Sequence, residues 1–208
     1  VETQEEEEII FRVQGVLIRK DLPPIHETPR YVPIALNPRK HTGATRHMCQ
    51  SIEISGLGLK DFKDALDHLQ VRHASMARNH PENTVEPWIP RNYRGTCALE
   101  SSNKYFTTRQ HDRGRPPVTF LPGVDPKGKL AQLAGNEYIH LQENLVSFAE
   151  IVNGRATDTT LSTFHIGDIV EAQISAKIIP CGPNTYQLIP VLRGFLLWQS
   201  AFLVVSSK

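Results

Sequence analysis

IVEAQISAKII (169–179), the turn PCGPN (180–184) and the return stretch YQLIPVLRGFLLW (186–198) decide the fold. In the first stretch Val170, Ala172, Ile174, Ala176 and Ile178 alternate with Glu171, Gln173, Ser175 and Lys177. A period of two puts one face of a strand in a core and leaves the other to solvent. Two such stretches around a Pro/Gly/Asn turn make a β-hairpin. Pro190 and Gly194 interrupt the return stretch. Proline cannot donate to a ladder and glycine packs nothing, so the pair predicts a bulge or bend that curls the hairpin. Residues 199–205 extend it as an edge segment.

Working outward, Ile9 to Lys20 also alternates, with Ile9, Phe11, Val13 and Leu17 on the more apolar face, and ends at Leu22-Pro23-Pro24. A short strand is expected over Tyr31–Leu36. Residues 39–56 fit either a helix from Thr42 to Ser51 or nothing longer than a piece of strand at Ile52–Ile54. Leu59, Phe62, Leu66 and Leu69 recur at three and four with charges between them, which predicts a helix over 59–73. Asp125-Pro126 reads as a cap and first helical residue of a short helix over 126–134, closed by Gly135. Val118–Leu121 and Tyr138–Leu141 are short ordered runs, and Leu145–Val152 fits a helix through Leu145, Phe148 and Val152 or a buried strand, the strand being favoured by its Val, Ile and Phe content and its shortness. Residues 74–115 lack periodicity and read as a long irregular insertion. Together these elements predict a single α+β, β-rich domain over 9–208: an antiparallel, barrel-like sheet, specifically an OB-like barrel, with one or two helices. Residues 1–8, with Glu2, Glu5, Glu6, Glu7 and Glu8, form an acidic leader expected to be disordered and able to shield a basic face.

PVTFLPGVDPKGKL (117–130), YIHLQENLV (138–146), FHIGDIVEAQISAKIIP (164–180), LIPVLRGFLLW (188–198) and the earlier GLGLKDFKDAL (56–66) resemble a family of uncharacterised proteins of mushroom-forming fungi. The resemblance implies a eukaryotic, intracellular origin and assigns no catalytic residue.

Several classes of chemistry are disfavoured. Three cysteines, Cys49, Cys97 and Cys181, with no CxxC pair, argue against a disulfide framework and for a reducing compartment, nucleus or cytoplasm. No apolar run reaches the length of a membrane span. Gly123 to Lys129 fits G-x-x-x-x-G-K, but Leu130 stands where Ser or Thr must hold magnesium, and Pro126 removes a backbone donor. His47-x-Cys49 and His80-Pro81-Glu82 are the nearest approaches to ligand spacing, and no third ligand is picked out. No G-x-S-x-G elbow occurs. No catalytic residue, metal or cofactor is therefore expected.

The suggestive stretch is the irregular one. From Arg72 to Arg115 there are eight basic residues against four acidic ones, seven of the eight being arginine. Cations track phosphates and exposed rings stack on bases, so this combination suits single-stranded nucleic acid. The expected footprint is Arg91, Arg94, Lys104, Arg109, Arg113 and Arg115 for phosphates, with Trp88, Tyr93, Tyr105 and Phe106 for stacking. The leading expectation is thus a binding module for single-stranded DNA or RNA without catalysis. The alternatives are an assembly module that forms homo-oligomers through its C-terminal hairpin (Phe195, Leu196, Leu197, Trp198, Phe202) and a metal-dependent enzyme.

Overall fold

The computed structural model describes residues 8–25 and 48–199. The strand expected over 31–36, Phe202 and the first seven residues of the acidic leader lie outside them. In chain order the elements are β1 (Phe11–Asp21), β2 (Cys49–Ser55), helix α1 (Lys60–Ala77), β3 (Val85–Glu86), β4 (Arg91–Tyr93), β5 (Thr96–Lys104), β6 (Thr107–Thr108), helix α2 (Lys129–Ala134), β7 (Tyr138–Ile139), β8 (Ser147–Val152), β9 (Arg155–Asp158), β10 (Ile169–Gly182) and β11 (Thr185–Gln199).

Five strands close on themselves. β1 pairs antiparallel with β2 and with β10, β2 with β5, and β10 with β11. The ring shuts where β11 meets β5 in parallel, Val191 opposite Ser102. The cyclic order β1-β2-β5-β11-β10, with one parallel contact at the closure, is that of an OB barrel in which β5 is the third strand and β10–β11 the fourth and fifth. β8 adds to the outer edge of β11 in parallel, and β9 follows antiparallel to β8. The sheet is therefore antiparallel except along that edge of β11, which also carries the short parallel pair with β3.

The alternation read from the sequence sets the barrel's inside and outside. Val170, Ala172 and Ile174 of β10 and Val13 and Leu17 of β1 point inward with Ile52, Ile54, Leu99, Leu192 and Phe195. Burying each large apolar side chain contributes roughly 1.5–3 kcal/mol before the entropy of ordering it. The hairpin bulges at Arg193, between the pairs Gln173–Gly194 and Ile174–Leu192. A Cβ on Gly194 would lie 2.7 Å from Gln173 Oε1 and 2.8 Å from Ser147 Oγ, so glycine is what lets β8 and β10 flank the bend.

Helix α1 lays Phe62, Leu66 and Leu69 on the barrel. Phe62 seats on two glycines: a Cβ on Gly56 would sit 2.3 Å from Phe62 Cβ, and one on Gly15 3.0 Å from its ring. The helix runs four residues beyond the expected end at 73, because nothing in His73–Ala77 stops it. Helix α2 starts later than expected: Asp125-Pro126 forms a turn closed by Gly128 N–H to the Asp125 carbonyl, and Asp125 Oδ2 accepts from the Ala131 N–H at 2.9 Å. Within the ambiguous segment 39–56, Cys49–Ser55 is strand, and 39–47 lie outside the described residues. Among the described residues no helix is long and apolar enough to cross a membrane.

Candidate nucleic-acid interface

The barrel carries a cleft of about 290 Å³ where β5 ends against the hairpin. One wall is the outer face of the hairpin, Lys177 and Ile179 of β10 with Ile189 and Val191 of β11. Ser102 and Lys104 of β5 form its floor, and the opposite wall is Thr107, Thr108, His111, Tyr138 and Glu143. That second wall is tied down locally. β6 pairs with β7. The Arg109 N–H donates to the Glu137 carbonyl at 2.9 Å. Asn103, buried at the root of β5, donates to the carbonyls of Glu143 at 3.0 Å and Leu192 at 3.1 Å and so holds the wall to the barrel.

Electrostatics within the cleft are mixed but lean positive. Lys104 and Lys177 stand on the floor and the hairpin wall. The one acid lining it, Glu143, pairs with Arg115 (2.7 Å) and accepts from the Thr107 hydroxyl (2.8 Å). Burial pushes the Glu143 carboxyl up, but the hydrogen bonds from Arg115 and Thr107 and the charges of Arg115 and Lys177 hold it below its ordinary value. Above the hairpin wall, Arg193 donates to the Glu143 carbonyl, to Ser175 Oγ (3.2 Å) and to Glu8 Oε1 (2.5 Å). Burial again raises the Glu8 carboxyl, and hydrogen bonds from Arg193 and Ser175 with the charges of Arg193 and Lys177 more than offset it, leaving the group lowered.

The residues picked from the sequence separate into two groups. Lys104 lines the cleft, and Arg115 braces its acid. Arg109 and Arg113 are exposed on the turn that carries Thr108 and His111 at the rim. Arg91, Tyr93 and Arg94 lie instead at the far end of β5: β4 pairs with Thr96–Ala98, about 20 Å along the strand from Lys104. There Arg91 is paired with Glu100, and Arg94 stands over the Tyr93 ring at 5.3 Å. Trp88 packs against the core from a half-buried position. Tyr105 and Phe106 are core residues, 1% and 3% exposed; Phe106 lines the cleft beneath Tyr138, its ring 6.1 Å away, but leaves little of its face open to a base. Hydrophobic burial outcompeted the stacking role assigned to them, because both rings close the barrel under β6–β7.

Sequence reasoning missed Tyr138, Lys177 and His111 as cleft residues. Lys177 was legible as an outward position of an alternating strand, and only the hairpin's curl turns that face into a wall. Tyr138 is the partly exposed aromatic ring of the cleft.

Other readings change as well. Phe195, Leu196 and Leu197, expected to pair with another chain, are 0%, 9% and 6% exposed and fill this chain's own core, leaving Trp198 as the exposed large side chain of that set among the described residues. His80 packs against the Tyr186 ring in a tilted arrangement, centroids 4.6 Å apart. Among the described residues no group of three or more His, Cys, Asp or Glu side chains could hold a metal ion. The outer face of β2–β5 carries Glu53 and Glu100 opposite each other, paired with Arg19 at 3.1 and 2.9 Å and, at Glu100, with Arg91. That face is an ion-pair network, whereas two lysines and one acid, Glu143, line the cleft.

No family model matches the chain, and no curated protein does. A solved structure, gp2.5, a single-stranded DNA binding protein encoded by bacteriophage T7, is similar over 94% of this chain and 88% of its own, at 10% sequence identity and a TM-score of 0.40. At that score the likeness adds nothing to the topology, which rests on this chain's own strand pairings.

Proposed function

We propose that the cleft between β5, the β10–β11 hairpin and the 107–111 turn binds single-stranded nucleic acid without catalysis. The observation that carries the reading is the make-up of the cleft: Lys104 at the end of the third barrel strand and Lys177 on the stem of the hairpin formed by the fourth and fifth line it together with the Tyr138 ring, in a barrel class that uses its strand faces and loops to hold oligonucleotides. Lys104 and Lys177 supply phosphate contacts from two walls, and Arg109 and Arg113 extend the positive surface along the rim. Tyr138 is the ring against which one base can stack, contributing about 1–3 kcal/mol. With a single stacking ring, phosphate contacts dominate, so affinity depends strongly on salt and weakly on sequence. A fold alone would not support this, since OB barrels also take other ligands.

The test is fluorescence anisotropy with labelled 20-residue oligothymidylate and oligouridylate. Binding is expected at 50 mM salt and should weaken by about tenfold or more at 200 mM. Lys104→Glu/Lys177→Glu should lose at least tenfold, and Tyr138→Ala about five- to tenfold. Arg91→Glu, at the far end of β5, should change affinity by less than threefold. Affinity that is absent at 50 mM, or unmoved by the double substitution, rejects the reading.

A further inference from the structure

Beside the cleft wall the protein holds a second, much smaller cavity of about 10 Å³. Gln50 of β2, Tyr105 just past β5 and His140 just past β7 line it, with Phe120, Val124 and Val146 as apolar neighbours. The three polar residues are 3%, 1% and 7% exposed. Each keeps one polar atom without a hydrogen-bond partner: Gln50 Oε1, the Tyr105 hydroxyl and His140 Nε2. Native proteins rarely leave such atoms unmatched, and here three belong to the lining of one cavity. Their neighbours fix what each can do. His140 Nδ1 lies 2.7 Å from the Tyr105 carbonyl, which only accepts, so Nδ1 carries the proton. Burial favours the neutral ring, which leaves Nε2 as an acceptor. Gln50 Nε2 donates to the Asn144 carbonyl at 3.4 Å, so the free Oε1 is a second acceptor. Burial pushes the Tyr105 pKa up, so its hydroxyl keeps its proton and is the donor of the set.

We propose that this cavity is the binding site of one water molecule, which donates to His140 Nε2 and Gln50 Oε1 and accepts from the Tyr105 hydroxyl. Its volume suits a single water and excludes a larger ligand. Two acceptors and one donor match the two protons and a lone pair of water, while a cation finds no carboxylate in the lining. Buried waters with about three partners are integral to a structure and costly to remove. The site joins elements distant in sequence: β2, the end of β5 and the 138–146 segment. Asn144, whose carbonyl accepts from Gln50, lines both this cavity and the cleft. The water is therefore a seat for the cleft wall that carries Tyr138, whatever the cleft binds.

Two measurements on the full chain test the site without any nucleic acid. A high-resolution crystal structure should show one ordered water within hydrogen-bonding distance of His140 Nε2 and of Gln50 Oε1 or the Tyr105 hydroxyl. Direct pairing among those three atoms, or a cavity without ordered solvent, overturns the proposal. The second is amide hydrogen exchange in Tyr105→Phe, which removes the hydroxyl and keeps the ring. The Arg109 N–H bonds the Glu137 carbonyl and the Val118 N–H the His140 carbonyl, so both report on the wall. With one partner of the water gone, these two amides should exchange about three- to tenfold faster, while those of the β1–β10 pairing change less than about twofold. If the hydroxyl instead has no partner, its removal leaves the two amides unchanged or slower. That result, or equal acceleration throughout the barrel, overturns the water as the seat of the wall.

Discussion

Asn103 shows how a single polar side chain can organise a site. It is 6% exposed, and its amide donates to carbonyls on both the 143–145 turn and β11. Replacing it by alanine leaves buried carbonyls without a donor and should cost about 1–3 kcal/mol. Chemical denaturation should show a lower midpoint at unchanged slope, and an unchanged midpoint would contradict the role given to it. His140 is the titrating counterpart. Burial lowers its pKa, against the raising effect of its hydrogen bond to the Tyr105 carbonyl (2.7 Å). The unfolded chain therefore takes up the proton at higher pH than the folded one. Stability from this group is complete above the ordinary histidine range and is lost as pH falls through it. The melting temperature should drop between pH 7.5 and 5.5, and the drop should shrink in His140→Gln. The thiols differ in the same physical way: burial and the charges of Asp21 and Glu100 push Cys49 up to about 11, whereas Cys181 is exposed at the hairpin tip. Iodoacetamide at pH 7.5 should label Cys181 well before Cys49, and the reverse order would contradict that burial.

At the scale of elements, legibility followed hydrophobic alternation. β1, β10, β11 and β8 were readable because their inward residues are apolar. β5 was not, and it is the strand that matters most. Its inward positions include Ser101 and Asn103 beside Leu99, so TCALESSNK looks like a polar loop. The strand is held by neighbours distant in sequence, β2, β4 and β11, and by Asn103's hydrogen bonds, none of which leaves a local signature. The supposed insertion of 74–115 is thus a central wall of the barrel with short strands on either side. Helix α1 was visible through its period, but its seat was not, since Gly15 and Gly56 carry no periodic signal. Gly56→Ala should force Phe62 off the barrel. A loss of about 1–3 kcal/mol is expected in thermal or chemical denaturation, and a neutral effect would mean that the helix can shift to make room.

For the whole molecule, the barrel class was readable, whereas the expected footprint divides between two ends of one strand. Basic composition pointed to residues 72–115, but composition does not know which end of a strand a residue occupies. Arg91 and Arg94 went to one end of β5 and Lys104 to the other, while the hairpin supplied Lys177. The aromatic count was misleading for a related reason: in a small barrel closed by few large residues, Tyr105 and Phe106 gain more from burial than from waiting for a base. Among the described residues the barrel carries a cleft lined by Lys104 and Lys177 and a sheet face on which Glu53 and Glu100 pair with Arg19 and Arg91. The most direct test of that arrangement is photocross-linking of an oligonucleotide carrying bromodeoxyuridine, with the adducts located by mass spectrometry. Adducts are expected on Tyr138 and on peptides spanning 104–113 or 177–189, and should be lost in Lys104→Glu/Lys177→Glu. Adducts confined to α1 or to Trp88–Arg94 would contradict the cleft as the seat of the strand.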